Sequence, residues 1–348
     1  RYSVDAQWLI PHFEKMLYDN ALLARIYLRA GQVFRDPAYT ATAVEVLDYL
    51  ANEMRDGGGG IHAAEDADSE GVEGKYYVWS YDEFCTVAGA DAELISELYG
   101  VTPEGNFEGA NNLYLAYSAM TLAEQMDLSP GEIRAAKSRV DSALLGSRAG
   151  RVRPPRDDKV IAAWNGLALR AFAEAAAVLD SEEYLEVAIG IAGFVTTEMI
   201  DAEGRLQRAW RQGQTSGPGF CDDYAALAVG LYTLFSVTAD TRWYEEAERL
   251  TGRMIELFAD SGGFFSPGSD TADLIARPKD FTDNPLPSAN SLAAEALLIR
   301  SAYNGRRSEH PVEIAAGAGR LLERYPTAVG QLLAVLLTQE HGIKEVAI

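Results

Sequence analysis

The feature that most constrains this chain is a recurring pair of helical stretches, one apolar nearly all round and one amphipathic. Positions 21–30 carry Leu22, Leu23, Ile26 and Tyr27 with little charge, which predicts a helix buried on most sides. Positions 39–54 set Val44, Leu47, Leu50 and Met54 at helical spacing, with Glu45, Asp48 and Glu53 between them. The pairing returns at 167–178 with 183–199, and at 224–235 with 243–258. A further pair opens at 291–299, and its second member runs through Leu321 and Leu322. Asn20 to Tyr39 and Asn165 to Tyr184 are each 19 positions, and Tyr224 to Tyr244 is 20. Three of the second helices are followed by a glycine turn and an apolar residue: Gly60-Ile61, Gly204-Arg205-Leu206 and Gly263-Phe264. Unit starts at Asn20, Asn165, Tyr224 and Asn290 leave one wide gap, which holds two more helical patches at 81–99 and 120–145.

Five helix pairs predict an all-α chain of stacked hairpins, either an open solenoid or a closed ring. A ring is favoured, because apolar inner helices inside an amphipathic belt are what a closed barrel buries. No polar end cap of the kind a solenoid needs is legible at Arg1. The expectation is therefore one domain over positions 1–348. Segments 57–75, 103–112, 151–158, 213–222 and 260–290 are rich in Gly, Asp, Asn and Pro and longer than helix–helix turns require. Long loops in compact domains usually carry function. They are expected to gather where the inner helices begin, with short strands such as 75–79 forming small hairpins.

Charge narrows the partners. Lys and Arg number 30 against 52 Asp and Glu, a formal charge of −22, which argues against nucleic acid and anionic membranes. No stretch approaches the ~20 apolar residues of a spanning helix, and no basic-then-apolar start reads as a signal peptide. Two cysteines, Cys85 and Cys221, are too few for a disulfide framework and fit a reducing cytoplasm. Cys221 beside Asp222-Asp223 is a poor thiolate, since adjacent negative charge raises its pKa. The chain contains no G-x-x-x-x-G-K-[ST], G-x-S-x-G, H-E-x-x-H or C-x-x-C, so no cofactor or metal is expected.

Polar residues of the same kinds stand ahead of the inner helices: Asp19-Asn20, Asp157-Asp158 with Asn165, Asp222-Asp223, and Ser288 with Asn290. Two readings stay open. Each is a helix cap accepting backbone N–H groups, or together they form a rim where carboxylates push one another's pKa values apart. Asp158, Asp222 and Asp223 are catalytic candidates in the second reading. His12, in Pro11-His12-Phe13-Glu14-Lys15, joins them as a general base or is a hydrogen-bonded cap. The stretch Glu65-Asp66-Ala67-Asp68-Ser69-Glu70-Gly71 opens like a calcium loop, but Tyr77 stands where the bidentate acid belongs. That leaves Asp66 and Asp68 as a looser metal site, as substrate-facing carboxylates or as a solvated turn. Lys159, Arg277 and Lys279 pair with acids or meet an anionic group of the substrate; without them an acidic mouth repels anions. Trp164 and Tyr224 stack on a sugar ring or fill rim core, and Asn165 and Asn290 complete the substrate-binding set.

These residues resemble a known family. The matching stretches run from Arg1-Tyr2-Ser3-Val4-Asp5 through Pro11-His12-Phe13-Glu14-Lys15-Met16-Leu17-Tyr18-Asp19-Asn20, then Asp66-Ala67-Asp68-Ser69-Glu70-Gly71 and Glu73-Gly74-Lys75-Tyr76-Tyr77-Val78-Trp79. They continue with Gly105-Asn106-Phe107-Glu108-Gly109, Asp157-Asp158-Lys159, Ala163-Trp164-Asn165-Gly166-Leu167, Asp222-Asp223-Tyr224-Ala225 and Pro287-Ser288-Ala289-Asn290-Ser291. The chain is similar to the thioredoxin-domain-containing family typified by bacterial YyaL and the spermatogenesis-associated homologue of animals. That resemblance implies an N-terminal thioredoxin-like domain followed by an (α/α)6 barrel akin to six-hairpin glycosidases and N-acylglucosamine 2-epimerases. The chain starts inside the family's central motif, so the thioredoxin-like domain and about the first hairpin are expected to be missing, consistent with five hairpins.

Two functions are expected on this basis. One is a sugar-active hydrolase or isomerase, with Asp222 or Asp223 and Asp158 as the acid/base pair and His12 and Lys159 positioning a small-molecule, sugar-like ligand. A 2-epimerase variant would want two facing histidines, and only His12 and His62 lie near the predicted rim loops. The other is a non-catalytic binding or scaffold domain serving the thioredoxin-like module. Oligomeric state is left open.

Overall fold

A computed structural model of the chain describes residues 2–271, 274–305 and 308–343. In chain order its helices are α1 Leu17–Phe34, α2 Pro37–Glu53, α3 Tyr81–Ala88, α4 Ala92–Tyr99, α5 Ala119–Met126 and α6 Pro130–Ala149. They continue as α7 Ala162–Leu179, α8 Glu182–Glu198, α9 Cys221–Thr238, α10 Thr241–Phe258, α11 Ala289–Asn304, α12 His310–Arg324 and α13 Gly330–His341. Where the sequence reading expected one domain, backbone contacts separate two compact units. One comprises Arg1–Lys15 with Glu65–Arg156, the other Met16–Ala64 with Asp157–Ile348.

The larger unit is the hairpin array. Helices α1/α2, α7/α8, α9/α10 and α11/α12 are antiparallel neighbours, and the first members pack in the order α1, α7, α9, α11, with α13 against α11. Local chemistry starts and stops each helix. Asp36, Ser181, Asp240 and Ser288 accept a backbone N–H in the first turn of α2, α8, α10 and α11. Arg35, Asp180, Ala239 and Gly305 end α1, α7, α9 and α11 in left-handed conformation, which turns the chain back at once. Helix α9 buries residues all round, whereas α10 buries the stripe Trp243, Ala247, Leu250 and Met254, so the apolar/amphipathic pairing is realised there. Helices α7 and α9 approach closely because both carry glycine at the crossing. A Cβ on Gly166 would lie 2.5 Å from the Ala226 carbonyl carbon, and one on Gly230 would lie 2.7 Å from the Gly166 carbonyl oxygen.

Inside the array, charge replaces apolar packing. Arg25 of α1 pairs with Glu174 of α7 through two bonds of 2.8 and 2.9 Å, and Arg170 bonds Glu174 at 2.9 Å. Arg170 also reaches Glu295 of α11 at 2.7 Å, and Glu295 accepts from Gln331 of α13 at 2.8 Å. Buried charges persist only when paired, so this network ties four helices together. Helix α1 departs from expectation: Leu23, Ile26, Val33 and Phe34 are exposed rather than buried. It is first in the row, and the neighbours it packs against most are α2 and α7.

The helices that the sequence reading counted as a fifth pair pack on one another in the smaller unit. Trp79, Phe84, Ile95, Leu98, Ile133 and Val140 form their core. The strand expected at 75–79 is not a hairpin arm. Asp68–Ser69 pairs with Val72–Glu73 instead, and Trp79 bridges Asn111. Glu70 (φ 53°) and Gly71 (φ 77°) are both left-handed, the requirement of a two-residue type I′ turn. The residues that opened like a calcium loop are this turn. Among the described residues, no helix is long and apolar enough to cross a membrane.

Candidate functional site

The N-terminal ends of α1, α7, α9 and α11 meet around a pocket of about 430 Å³ in the larger unit. Met16 and Tyr18 come from α1, Trp164 from α7, Phe220 and Asp222 from the start of α9, and Asp280 with Leu286 and Pro287 from the segment before α11. Tyr18 and Trp164 stand edge to face with ring centroids 4.8 Å apart. Arg208 approaches Asp222 at 3.4 Å and lies over the Phe220 ring at 4.6 Å. Partial burial raises the Asp280 carboxyl above its ordinary range, Asp222 and Asp283 add to that, and the Thr282 and Ala289 backbone N–H groups oppose it.

A repeated clamp holds the helix starts in place. Asn165 Oδ1 accepts from Ile61 N at 2.8 Å, while its Nδ2 donates to Ile61 O and Ile161 O, both at 3.0 Å. Asn290 Oδ1 accepts from Phe264 N at 2.7 Å, and its Nδ2 donates to Phe264 O at 3.0 Å and Asp280 O at 2.7 Å. On α9 the same job falls to Tyr224, whose hydroxyl accepts from Leu206 N at 2.9 Å and Arg205 Nη1 at 2.8 Å. Ile61, Leu206 and Phe264 are the apolar residues after the three glycine turns. Asn165, Tyr224 and Asn290 have no exposed surface. Backbone groups occupy the polar atoms of Asn165 and Asn290, and a backbone N–H and the Arg205 guanidinium occupy the Tyr224 hydroxyl, so in this structure all three hold helix starts.

Asp223 is engaged in the same way. It is fully buried, with Oδ1 accepting from Ala163 N at 2.9 Å and Oδ2 from Phe220 N and Arg208 Nη1, both at 2.8 Å. One carboxylate thus serves the positive ends of α7 and α9 together. Burial and neighbouring Asp222 push it up to about 7, against Arg208 and the backbone donors. Asp222, one residue earlier, faces the pocket.

The other candidates divide between the units. Asp158 does not line the pocket. It contacts Arg211 Nε at 2.5 Å and accepts from Gln212 Nε2 at 2.9 Å, at the tip of the hairpin Gln207–Arg211/Gln214–Pro218. The Gln212 hydrogen bond, then Arg211, hold its carboxyl low against desolvation. The expected Asp158–Asp222 pair is therefore not assembled at this pocket. Lys159 pairs with Asp157 at 3.2 Å. Arg277 donates to Pro267 O and Leu257 O, and Lys279 to Ser261 O and Asp260. None of these three cations lines the pocket. His62 sits against Asp158 O at 3.2 Å.

His12, Asp66 and Asp68 belong to the smaller unit. His12 stacks on Tyr2 and lies 3.9 Å from Glu14, and Asp66 Oδ1 accepts the Asp68 N–H at 3.3 Å. The most enclosed acid there is Glu65, which accepts from Tyr77 Oη and Arg153 Nε, each at 2.6 Å. Lys15 Nζ lies 3.9 Å from Glu65 and 3.5 Å from the Tyr77 ring centroid. Burial pushes Lys15 down to about 8, against Glu65 and with help from Arg148 and Arg153. Among the described residues no group of three or more His, Cys, Asp or Glu is placed to hold a metal ion.

Of the residues singled out from sequence, Asp222 and Trp164 line this pocket, alongside Asp280, Tyr18 and Phe220, which were not singled out. Asp280 follows Lys279 in a loop whose cations drew attention instead. Its position became visible only through the Asn290 clamp that fixes its carbonyl.

The fold is of the (α/α)6 toroid type. Among solved structures, a sugar epimerase from a ruminal bacterium aligns with 97% of this chain and 62% of its own, at a TM-score of 0.50 and 11% identity, a likeness of fold. No family model matches the sequence. Human spermatogenesis-associated protein 20 is 34% identical over 388 aligned residues, and the mouse protein 33%, each covering the whole of this chain. Over its whole length the chain is similar to these spermatogenesis-associated proteins 20, and it spans about half the length of the curated relatives it matches (49% of the human protein).

Proposed function

We propose that this chain binds a carbohydrate at the four-helix pocket and acts on it through carboxylates there. The observation carrying the reading is that Asp222 and Asp280 line one pocket with the aromatic residues Tyr18, Trp164 and Phe220. Aromatic faces suit the C–H surface of a sugar ring, and two carboxylates in different environments divide into acid and base. Asp222, with Arg208 as counter-charge, is the acceptor or nucleophile, and Asp280, partly buried beside it, is the second carboxylate. A cytoplasmic setting, a small-molecule partner and no nucleic-acid or membrane partner belong to the same proposal.

One observation favours the second reading, a binding or scaffold domain without catalysis. The most perturbed carboxylate, Asp223, is committed to two helix starts and an arginine. A thermal-shift screen against mono- and oligosaccharides, followed by turnover assays on any ligand found, tests both. Sugar-dependent stabilisation that Asp222→Asn abolishes, with turnover, supports the enzyme. Stabilisation without turnover supports the binding domain, and no response to any sugar defeats the carbohydrate reading.

A further inference from the structure

Among the described residues, the pocket is lined by two carboxylates and by no lysine or arginine. The three cations that sequence placed nearest are each committed elsewhere: Lys159 to Asp157, Arg277 to two carbonyls, Lys279 to Asp260 and Ser261 O. The nearest guanidinium, Arg208, divides one Nη1 between Asp222 at 3.4 Å and Asp223 at 2.8 Å. One positive charge thus stands against two negative ones, and the shorter contact goes to the acid that does not face the pocket. Partial burial, Asp222 and Asp283 raise the Asp280 carboxyl, against the backbone N–H groups of Thr282 and Ala289.

A cavity with surplus negative charge and apolar walls repels an anionic ligand and attracts a cationic one. Ring faces strengthen that preference, because an aromatic quadrupole attracts ammonium. Trp164 and Tyr18 line the same pocket as the two acids. We propose that the ligand of this pocket carries a free ammonium group, and that within the carbohydrate reading, on which this rests, its class is an amino sugar. The ammonium sits between Asp222 and Asp280, and the ring lies on Trp164.

Calorimetric titration of the full chain with glucosamine, N-acetylglucosamine, glucose, glucuronate and spermidine tests the inference. Glucosamine is expected to bind at least about tenfold more tightly than glucose, with the gain lost on N-acetylation, shrunken by added salt, and reduced to within about twofold in Asp280→Asn. Asp222→Asn provides the same comparison should Asp280→Asn not fold. Glucose or N-acetylglucosamine binding as tightly as glucosamine overturns the inference and leaves the carbohydrate reading standing. Binding of spermidine with no sugar bound supports the charge inference and defeats the carbohydrate reading. No binding by any probe overturns both.

Discussion

Replacing Asn290 with alanine removes three hydrogen bonds from a residue that has no exposed surface. Each contributes about 1 kcal/mol net, and a buried N–H left without an acceptor costs a further ~1–3 kcal/mol. Asn290→Ala should therefore lose about 4–6 kcal/mol. Asn165→Ala is a replicate supplied by the fold, since Asn165 is equally buried and makes the same pattern of one accepted and two donated bonds. The assay is urea unfolding followed by far-ultraviolet circular dichroism, with attention to the transition of the hairpin array. Asn290→Asp sharpens the test: it keeps the acceptor for Phe264 N but turns an acceptor towards the carbonyls of Phe264 and Asp280. Its loss should match that of alanine at neutral pH and ease on acidification, when the protonated acid can donate again. If both alanine variants lose less than about 1 kcal/mol, the clamps do not hold the helix starts and the argument from the repeat fails. A large loss at only one site would refute the equivalence of the two hairpins.

The helix crossing makes a second expectation: Gly166→Ala should cost about 2 kcal/mol or more by forcing α7 and α9 apart. Gly252→Ala on α10, where an added Cβ meets nothing within 4 Å, should raise stability by about 0.5–1 kcal/mol. Equal effects in thermal melts would contradict the close approach. Glu174 makes a third. Burial opposes its ionisation, but Arg25, Arg170 and Arg29 outweigh burial and hold it at about 2, below the ordinary 4.5. With a depressed folded pKa, its contribution is full above pH 4.5 and is lost as pH falls towards 2, so Glu174→Gln should flatten that part of the stability curve. An unchanged acid limb would rule this out. For the cysteines, burial first and then Asp222 and Asp223 raise the Cys221 thiol far above its ordinary pKa, while Cys85 is partly exposed. Ellman's reagent should therefore titrate Cys85 alone in the native protein and both thiols after denaturation; two native thiols would show the Cys221 environment to be open.

Helix periodicity, the spacing from Asn to Tyr, and the glycine turns were enough to read an all-α array of hairpins from sequence, because those patterns are local consequences of which face must be buried. The same local signals mark Asn165, Tyr224, Asn290 and Asp223 as special positions. They do not distinguish a side chain that meets ligand from one that meets backbone 26 or 104 residues away, as Asn290 and Asn165 do. Only packing decides that, since a buried amide or carboxylate is spent on whichever unpaired N–H the neighbouring hairpin presents. Tertiary structure likewise decided that α3–α6 pack in a unit of their own, and that Asp222 and Asp280, separated by the α9/α10 hairpin, line one pocket. Sequence set the excess of negative charge. Where it remains unneutralised depends on which cations the fold turns towards other carbonyls and carboxylates, and Arg277 and Lys279 are turned away.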